Sequence, residues 1–426
     1  MNEKIPNKNE IVKIKVKVTN IGINGDGIAN EMGERYFIPY SAPGDYVSIS
    51  VGNARKGGRI AKINNIINRS EIRTDPACLH FGTCGGCTLQ HLKTKEIANL
   101  KRGFVASALE KQGLSPSTLL PTVEIPPGLR RRVRFAVNKS KRVTFGFFEP
   151  HSNQIVDINR CPAIQPAIAD LIYPLRNLII ATQAITRVAT VQVTLSDTGL
   201  DILIRPGKVT DLKLEDRETF ANFANQYDLA RISWHGSLGA EPIAQRREPR
   251  HQFGPAAVTL PPTAFLQPSK KGENVIATAA CVALQRATRI ADLYAGCGAL
   301  TFPFSRIAPT HAFEGDDEMV SAIKRAARKH PVTAHLRDLA RRPLTAPELN
   351  DFDAVVFDPP RSGAKSQAAA LAGSSVPVVI AVSCNPGTLA RDLSLLIDGG
   401  YTLQSVLPID QFPWSSHVEA VAILGR

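Results

Sequence analysis

The stretch ADLYAGCGALTFP, residues 291 to 303, decides the fold of the carboxyl-terminal part of the chain. A strand pattern ends at a turn containing Gly296 and Gly298, and a helix pattern follows. Such a turn lets a ligand approach the backbone closely and points helix N–H groups at it. Glu314 ends the next strand pattern ~20 residues beyond Asp292, the spacing at which an acid reaches ribose hydroxyls. The third glycine of dinucleotide sites and the GKS/T of ATP sites are missing. An adenosine ligand with little phosphate, such as S-adenosylmethionine, therefore fits better.

From about residue 275 onward, strand and helix patterns alternate. The apolar runs end in small or acidic residues and read RIADLYAG, HAFEGD, FDAVVFDPP and VPVVIAVSC, and the helical stretches between them include DEMVSAIKRAARKH and PGTLARDLSLLIDGG. This alternation predicts a doubly wound parallel sheet whose ligands bind at the carboxyl ends of the strands.

The amino-terminal part reads differently. Residues 11 to 65 show short strands with Gly-rich turns, which predict a small β-barrel. Its basic side chains form either a solvated surface or a platform for an RNA backbone, and they are Lys13, Lys15, Lys17, Arg55, Lys56 and Arg59. A helix is predicted over 92–113. Strand patterns return from about 120 to 255, where Arg130, Arg132 and Arg134 would share one face of a strand.

Bulk composition sets the broad class. The 426 residues are 43% hydrophobic and 21% charged, as in ordinary globular proteins. No run approaches the ~18 apolar residues of a membrane span, and the polar amino end has no signal-peptide pattern. We therefore expect a cytoplasmic protein without a membrane partner. The net charge of +13 suggests a polyanionic partner such as nucleic acid, although many basic proteins bind nothing specific.

One cysteine stands out among the 7 in the chain. Cys384, in AVSCNPGTLARDL, ends a strand pattern just before a helix, where the helix dipole would favour a thiolate. We interpret it as a nucleophile. Cys281 lies in an apolar helix pattern and Cys297 in the glycine turn, and both are explained by their positions alone.

Two further stretches carry acids. Asp358 ends a strand in VVFDPPRSGA, where the prolines make either a rigid functional loop or a simple strand stop. Arg361 stands where amino-methylating enzymes carry an aromatic residue, which disfavours chemistry on exocyclic amines. In QFPWSSHVEAVAIL, Glu419 follows His417 and begins the last strand pattern. It is either a general base or a solvated edge residue.

Three cysteines also cluster in CLHFGTCGGC, residues 78 to 87. In an intracellular protein this cluster favours a metal or redox site over a disulfide. Cys161, in NRCPA, is the natural fourth ligand beside Cys78, Cys84 and Cys87. Spacing alone leaves zinc and an iron–sulfur cluster both open.

SCNP, FDPPRSGA, DLYAGCG, AFLQP and a late HVE occur together in this chain. This set resembles the RNA uracil-5-methyltransferase family, and within it the bacterial 23S ribosomal RNA branch that combines a TRAM barrel with an iron–sulfur cluster. The resemblance implies a multi-domain α/β fold. Its parts would be a flexible end over 1–10, a TRAM β-barrel over 11–68, a central α+β iron–sulfur domain over 69–262 and a Rossmann-like methyltransferase domain over 263–426.

The resemblance also implies a mechanism. Cys384 would add to uracil C6, C5 would take the methyl group of S-adenosylmethionine, and Glu419 would accept the C5 proton. The implied cofactor-binding residues are Gln267, Tyr294, Ala299, Glu314, Asp338 and Asp358, and Phe265 would border the base pocket. Ala299 and Asp338 stand where relatives commonly carry asparagine, so their side-chain contacts differ from the family pattern.

For the four cysteines, the resemblance favours a [4Fe–4S] cluster that pins the central domain rather than one that transfers electrons. The resemblance implies a monomeric enzyme that acts on ribosomal RNA, with transfer RNA as the alternative substrate. Two rivals are weaker. A radical methylthiotransferase would need CxxxCxxC, whereas five residues separate Cys78 from Cys84. A non-catalytic RNA-binding or ribosome-assembly factor would not need Cys384 with Glu419.

Overall fold

The computed structural model describes residues 13–426. The predicted flexible end over 1–10 and the first two residues of the predicted barrel lie outside this range. Contacts divide the chain into two compact units. The first runs to Leu100 and includes Trp414–Ser416, and the second comprises Lys101–Pro413 and His417–Arg426.

The first unit is built on one six-stranded sheet. Its strands are β1 Lys13–Lys17, β2 Asn20–Ile21, β3 Gly27–Glu31, β4 Glu34–Ile38, β5 Tyr46–Arg55 and β6 Gly58–Asn68. They are hydrogen-bonded in the order β1-β5-β6-β4-β3-β2, and every pair except β4 with β6 is antiparallel. Alternating side chains such as Val47 and Ile49 are fully buried, as a two-residue strand period requires. The predicted short strands are present, and the TRAM name stays a prediction.

A buried ion pair ties the segment after β6 to this sheet. The Arg73 guanidinium donates to both carboxylate oxygens of Asp45, at 2.9 and 2.7 Å, and Asp45 is fully buried. Arg73 also donates to the Tyr40 carbonyl oxygen at 2.8 Å. The cysteine-rich loop therefore begins from a fixed point.

In the second unit, a seven-stranded sheet carries two helices on one face. The elements from residue 94 to residue 245, of which the first begins in the first unit, are α1 Thr94–Glu110, β7 Val123–Glu124, β8 Arg132–Lys139, β9 Val143–Phe148, β10 Ile155–Asp157, α2 Pro166–Ala169, α3 Ile172–Ala181, β11 Val188–Ser196, β12 Gly199–Pro206, α4 Leu214–Gln226, β13 Arg231–Gly236 and β14 Gly239–Gln245. The strand order is β10-β9-β8-β11-β12-β13-β14. Phe135 and Trp234 pack with Leu175 of α3 and Phe220 of α4. The alternate residues, including Arg134, point to the opposite face.

The remaining elements form the predicted alternation of strands and helices. They are β15 Arg250–Phe253, β16 Ala256–Thr259, α5 Lys270–Ala283, β17 Ile290–Leu293, α6 Thr301–Phe304, β18 Thr310–Glu314, α7 Asp317–Ala326, β19 Val332–Leu336, α8 Ala346–Leu349, β20 Ala354–Phe357, α9 Lys365–Ala372, β21 Val378–Ser383, α10 Pro386–Asp398, β22 Thr402–Asp410 and β23 Glu419–Gly425. The hydrogen-bonded order of the eight-stranded sheet is β19-β18-β17-β20-β21-β23-β22-β7. The strands from β19 to β21 are parallel, whereas β23 is antiparallel to both neighbours.

The sheet is buried on both faces. In β20, Val355 and Phe357 pack with residues of α9 and α10, while Ala354 and Val356 pack on the other side with residues of α5. Continuous apolar runs are typical of such covered parallel strands. The mixed α/β architecture is confirmed, whereas the three predicted domain boundaries stay predictions.

Candidate active site

A cavity of about 610 Å³ opens at the carboxyl edge of the eight-stranded sheet. The parallel strands β17, β18, β20 and β21 all end at this edge, so the residues that follow them converge. Strand β23 runs antiparallel to β21 and therefore begins there, with Glu419 first. The predicted site residues in the wall are Phe265, Gln267, Tyr294, Ala299, Glu314, Asp358, Cys384 and Glu419.

The glycine turn forms one wall. Tyr294 has a φ of 63°, a conformation that non-glycine residues seldom adopt and that clusters at functional sites. Gly298 has a φ of 89°, and a Cβ there would come within 2.7 Å of the Phe302 ring. Asp292 lies beneath the turn and accepts a 2.5 Å hydrogen bond from the Thr301 hydroxyl. Burial raises the pKa of Asp292 to about 7.

Glu314 holds the same turn from the neighbouring strand. One of its carboxylate oxygens accepts from the backbone N–H of Gly296 at 2.8 Å, and the other accepts from the N–H of Gly315 at 2.7 Å. The acid predicted from spacing therefore lines the cavity and is oriented by backbone donors.

Two glutamine side chains connect two buried acids. Gln267 donates from Nε2 to Asp358 Oδ2 at 3.0 Å, and Gln411 donates from Nε2 to Gln267 Oε1 at 2.9 Å and to Glu419 Oε2 at 2.8 Å. Burial raises the pKa of Asp358 to about 7. Burial and then the charge of Asp358 raise the pKa of Glu419 well above its ordinary value. Glu419 is only 3% exposed, which excludes the interpretation as a solvated edge residue.

Cys384 lies between β21 and α10. The Asn385 side chain caps the helix by accepting from the N–H of Gly387 at 3.0 Å, and Pro386 takes the first helical position, where its missing N–H loses no hydrogen bond. The expectation that the helix end favours the thiolate is wrong for this state of the protein. Burial, followed by the charges of Glu419 and Asp358, raises the pKa of the thiol to about 11.

Cationic and aromatic side chains border the cavity beside Cys384. Arg361 donates from Nη2 to His417 Nδ1 at 3.0 Å, and its charge opposes the rise in the pKa of Cys384. Burial and then the Arg361 charge lower the pKa of His417 to about 4, so the imidazole is neutral near pH 7. The His417 ring meets the Phe412 ring edge-on at 5.9 Å.

An arginine stripe leads from the cavity along the seven-stranded sheet. Arg130 and Arg132 line the cavity, and Arg134 follows on the same face of β8. Burial and then the charges of Arg134, Arg205 and Arg130 lower the pKa of Arg132 to about 10. Of the three arginines predicted to share one face of a strand, Arg132 and Arg134 do so on β8, whereas Arg130 precedes the strand. Arg205 of β12 extends the group, since its charge acts on Arg132. Like charges held this close favour a polyanionic ligand.

One predicted cofactor residue is not in the cavity wall. Asp338 follows β19, and its Oδ1 accepts from the N–H of Ala340 at 3.0 Å. Its charge contributes to raising the pKa of Tyr294 to about 12, after burial and Asp392. Conversely, Gln411 lies behind the wall and is hydrogen-bonded to Gln267 and Glu419, and the sequence predicts no role for it. A single glutamine has no spacing or residue-type signal that would have identified it.

The cysteine-rich loop belongs to the first unit. There the Cys84 sulfur accepts from the N–H of Gly86 at 3.5 Å, and burial and then Cys78 raise the pKa of Cys84. Cys161, in the second unit, packs against the core of the seven-stranded sheet. Over residues 13–426, no three His, Cys, Asp or Glu side chains are placed to hold a metal ion. This arrangement lends the predicted [4Fe–4S] cluster no support.

None of the helices within residues 13–426 combines the length and the apolar composition that a membrane span needs.

Known proteins resemble this chain over nearly its whole length. The family model for tRNA (uracil-5-)-methyltransferases matches residues 332–426. An uncharacterized RNA methyltransferase of Mesorhizobium japonicum is 42% identical, over 96% of this chain and 97% of the relative. The 23S rRNA (uracil(1939)-C(5))-methyltransferase RlmD of Chromohalobacter salexigens is 30% identical, over 96% of this chain and 89% of the relative.

A solved structure shares the fold. The crystal structure of the Pyrococcus abyssi tRNA (uracil-54, C5)-methyltransferase in complex with S-adenosyl-L-homocysteine matches with a TM-score of 0.73 at 22% identity. The match covers 96% of this chain and 100% of that one.

Proposed function

The chain belongs to the RNA uracil-5-methyltransferase family, and from this premise we propose that it converts a uridine of 23S ribosomal RNA to 5-methyluridine, using S-adenosylmethionine and a covalent bond to Cys384. One observation carries the proposal. The Cys384 thiol and the buried Glu419 carboxyl group line the same cavity. The glycine turn and Glu314, the acid that holds this turn, line it as well.

The chemistry follows from the weak nucleophilicity of uracil C5. The Cys384 thiolate adds to C6, and the electrons of the C5–C6 double bond move into an enolate. Bound S-adenosylmethionine supplies an electrophilic methyl group on a sulfonium. After C5 has taken the methyl group, Glu419 accepts the C5 proton, the double bond re-forms and Cys384 leaves as a thiolate.

The charges of the cavity suit a cationic ligand. Asp292, Asp358 and Glu419 are all buried with raised pKa values, which means that their charged forms lack compensation. The positive charge of a sulfonium would compensate these negative charges. We propose that Gln267, Tyr294 and Glu314 hold the cofactor, with Ala299 contributing backbone and Asp358 lying toward the base. Asp338 would act from the neighbouring loop.

A cationic ligand would also activate the nucleophile. The charges of Glu419 and Asp358 raise the pKa of Cys384, so a positive charge beside them lowers it again. Arg361 already acts in this direction. Thiolate formation would therefore follow cofactor binding, which limits the reactivity of the unliganded enzyme.

RNA would reach the cavity along the arginine stripe. A uridine inside folded RNA must turn out of its stack to meet Cys384. Arg130 and Arg132 at the mouth would hold the flanking phosphates, and Phe265 would border the base. Phe265 is 49% exposed with Arg132 over its ring at 5.0 Å. The basic residues of the six-stranded sheet offer a second RNA contact. The contribution of Arg55 to it is reduced, because its charge is paired with Asp26 at 3.0 Å.

Ribosomal RNA is the proposed substrate because the relative named for 23S rRNA matches over most of its length. Transfer RNA is the second candidate, favoured by the description of the family model. Nucleoside mapping in a strain lacking the gene separates them. Loss of 5-methyluridine from 23S rRNA alone is expected. Loss from transfer RNA alone would select the alternative, and loss from neither would reject the function.

The [4Fe–4S] cluster on Cys78, Cys84, Cys87 and Cys161 stays a proposal that rests on cysteine spacing and family resemblance. No catalytic step requires it. Purified protein with about four iron atoms per chain and absorption near 400 nm would support it. Stoichiometric zinc without iron would reject it in favour of a zinc site.

A further inference from the structure

Gln411 is buried behind the cavity wall, with 1% of its surface exposed, and it contacts two residues that line the cavity, Gln267 and Glu419. Its side-chain nitrogen carries two hydrogens, and two acceptors lie within reach. These are Gln267 Oε1 at 2.9 Å and Glu419 Oε2 at 2.8 Å. An amide NH₂ group has two donors, so both are used.

The direction of these hydrogen bonds is determined by the partners. Gln267 donates its own Nε2 to Asp358 at 3.0 Å, which leaves its oxygen to accept from Gln411. A reversed Gln411 amide would place its oxygen against the oxygens of Gln267 and Glu419. In the actual orientation, Gln411 Oε1 has no hydrogen-bond partner among the described residues. It lies where a Cβ on Gly272 would come within 2.6 Å, so a side chain at that position would displace the Gln411 amide.

One lysine contacts the residues on both sides of Gln411. Lys101 of α1 is fully buried, and its ammonium donates to the Asp410 carboxylate and, at 2.9 Å, to the Phe412 carbonyl oxygen. A buried charge held by the residues before and after Gln411 leaves that side chain little freedom. The amide is therefore preorganised before any ligand binds.

We propose that Gln411 is a positioning residue of the methyl transfer, which holds the Glu419 carboxyl group in one orientation and ties that orientation to Gln267. The inference rests on the proposed function, because it assigns Glu419 the C5 proton. The Gln411 N–H is bonded to Glu419 Oε2, which lowers the basicity of that oxygen and favours Oε1 as the acceptor of the proton. The same Gln411 nitrogen also donates to Gln267, a proposed cofactor-binding residue. It therefore fixes the position of the Glu419 carboxyl group relative to the proposed cofactor site.

This role has a kinetic signature. Formation of the Cys384 adduct and methyl transfer do not use Glu419, whereas breakdown of the methylated adduct does. Gln411→Met keeps nearly the same length and removes both donors. We expect the variant to accumulate a denaturation-resistant protein–RNA complex that carries the labelled methyl group on ordinary, unsubstituted RNA. Breakdown of this complex should slow about 10-fold or more relative to its formation, part of the roughly 10²–10⁴-fold that a general base contributes, because formation loses only the tie to Gln267 whereas breakdown loses the orientation of the base.

Gln367→Met is the matched control. Gln367 is also a glutamine with 1% exposure, and its amide bonds the backbone N–H and carbonyl of Leu344 at 2.9 and 3.1 Å, away from the cavity wall. Its loss destabilises the protein without reaching Glu419, so no adduct should accumulate. If Gln411→Met does not fold, Gln411→Asn replaces it. Asparagine keeps the amide, but its side chain is one methylene shorter and places the amide farther from Glu419.

The outcomes separate the two claims. A methylated adduct that accumulates in the Gln411 variant but not in the Gln367 variant supports the positioning role. Wild-type methylation together with a Gln411 variant that shows no accumulation, or that slows formation and breakdown equally, overturns the inference alone. Wild-type protein that forms no 5-methyluridine overturns the proposed function.

Discussion

Glu419 and Cys384 line the same cavity, and the charge of the Glu419 carboxyl group raises the pKa of the Cys384 thiol. Only burial raises this pKa more. The proposed base thus keeps the proposed nucleophile protonated until another charge intervenes. This electrostatic coupling is compatible with the proposed mechanism, because Cys384 and Glu419 act at different steps.

The first prediction concerns this pair. Glu419→Gln removes the group whose negative charge raises the pKa of Cys384, so this pKa falls and alkylation of the thiol by iodoacetamide becomes faster. Peptide mass spectrometry reads each cysteine separately. Cys281, half-buried on α5, serves as the internal control and should react at the same rate in both proteins. Equal or slower alkylation of Cys384 would contradict the coupling.

The second prediction concerns pH and cofactor charge. The pKa values of Asp292 and Asp358 are both raised to about 7. Their ionised forms attract a sulfonium, so affinity for S-adenosylmethionine should rise with pH through this range. The rise is at most about tenfold per pH unit for each group that titrates. S-adenosylhomocysteine has a neutral thioether and should show a weaker rise. Calorimetry with both ligands tests this, and parallel pH profiles would argue against the charge match.

The third prediction concerns the buried Lys101–Asp410 pair. Burial lowers the pKa of Lys101 and raises that of Asp410, so in each case desolvation outweighs the attraction of the partner. Lys101→Met leaves an unpaired buried carboxylate and should lower the free energy of unfolding by about 3–5 kcal/mol. Arg217→Ala breaks the exposed 3.0 Å pair with Glu241 and should change it by less than about 1 kcal/mol. Urea titration measures both, and similar losses would mean that Lys101 does not anchor the segment.

The fourth prediction concerns the arginine stripe. Arg134 is exposed and Arg205 half-buried, and both lie beyond the cavity wall. Replacing either with alanine should weaken RNA binding at low salt and reduce the slope of log affinity against log salt by about 1. Anisotropy with a labelled ribosomal RNA fragment provides the measurement, and Arg217→Ala is the control. An unchanged slope in both stripe variants would place the RNA elsewhere.

Periodicity and motif order predicted much of this protein. The helix expected over 92–113 is α1, Thr94–Glu110, and the strand preceding Cys384 is β21. These segments have strong local signals, since an amphipathic helix and a covered parallel strand each have a characteristic pattern. The residues gathered at the carboxyl edge were also predictable, because strand ends in such a sheet converge.

What the sequence could not predict depends on contacts between distant segments. The raised pKa of Cys384 comes from burial and from Glu419, whose position depends on β23 lying beside β21. A local argument from the α10 helix end predicted the opposite direction. Gln411 gained its partners through the pairing of β22 with β23 and through Lys101, and no nearby residue pattern encodes either.

The central claim is that Cys384 forms a covalent bond to uracil C6 during methyl transfer to C5. The most direct test incubates the protein with S-adenosylmethionine and 5-fluorouridine-substituted 23S ribosomal RNA fragments. Fluorine at C5 cannot leave as a proton would, so the methylated adduct cannot break down. A denaturation-resistant complex that carries the methyl label in wild type, and is absent in Cys384→Ala, is the predicted result. A wild-type protein that methylates unsubstituted RNA yet forms no such complex would contradict the account.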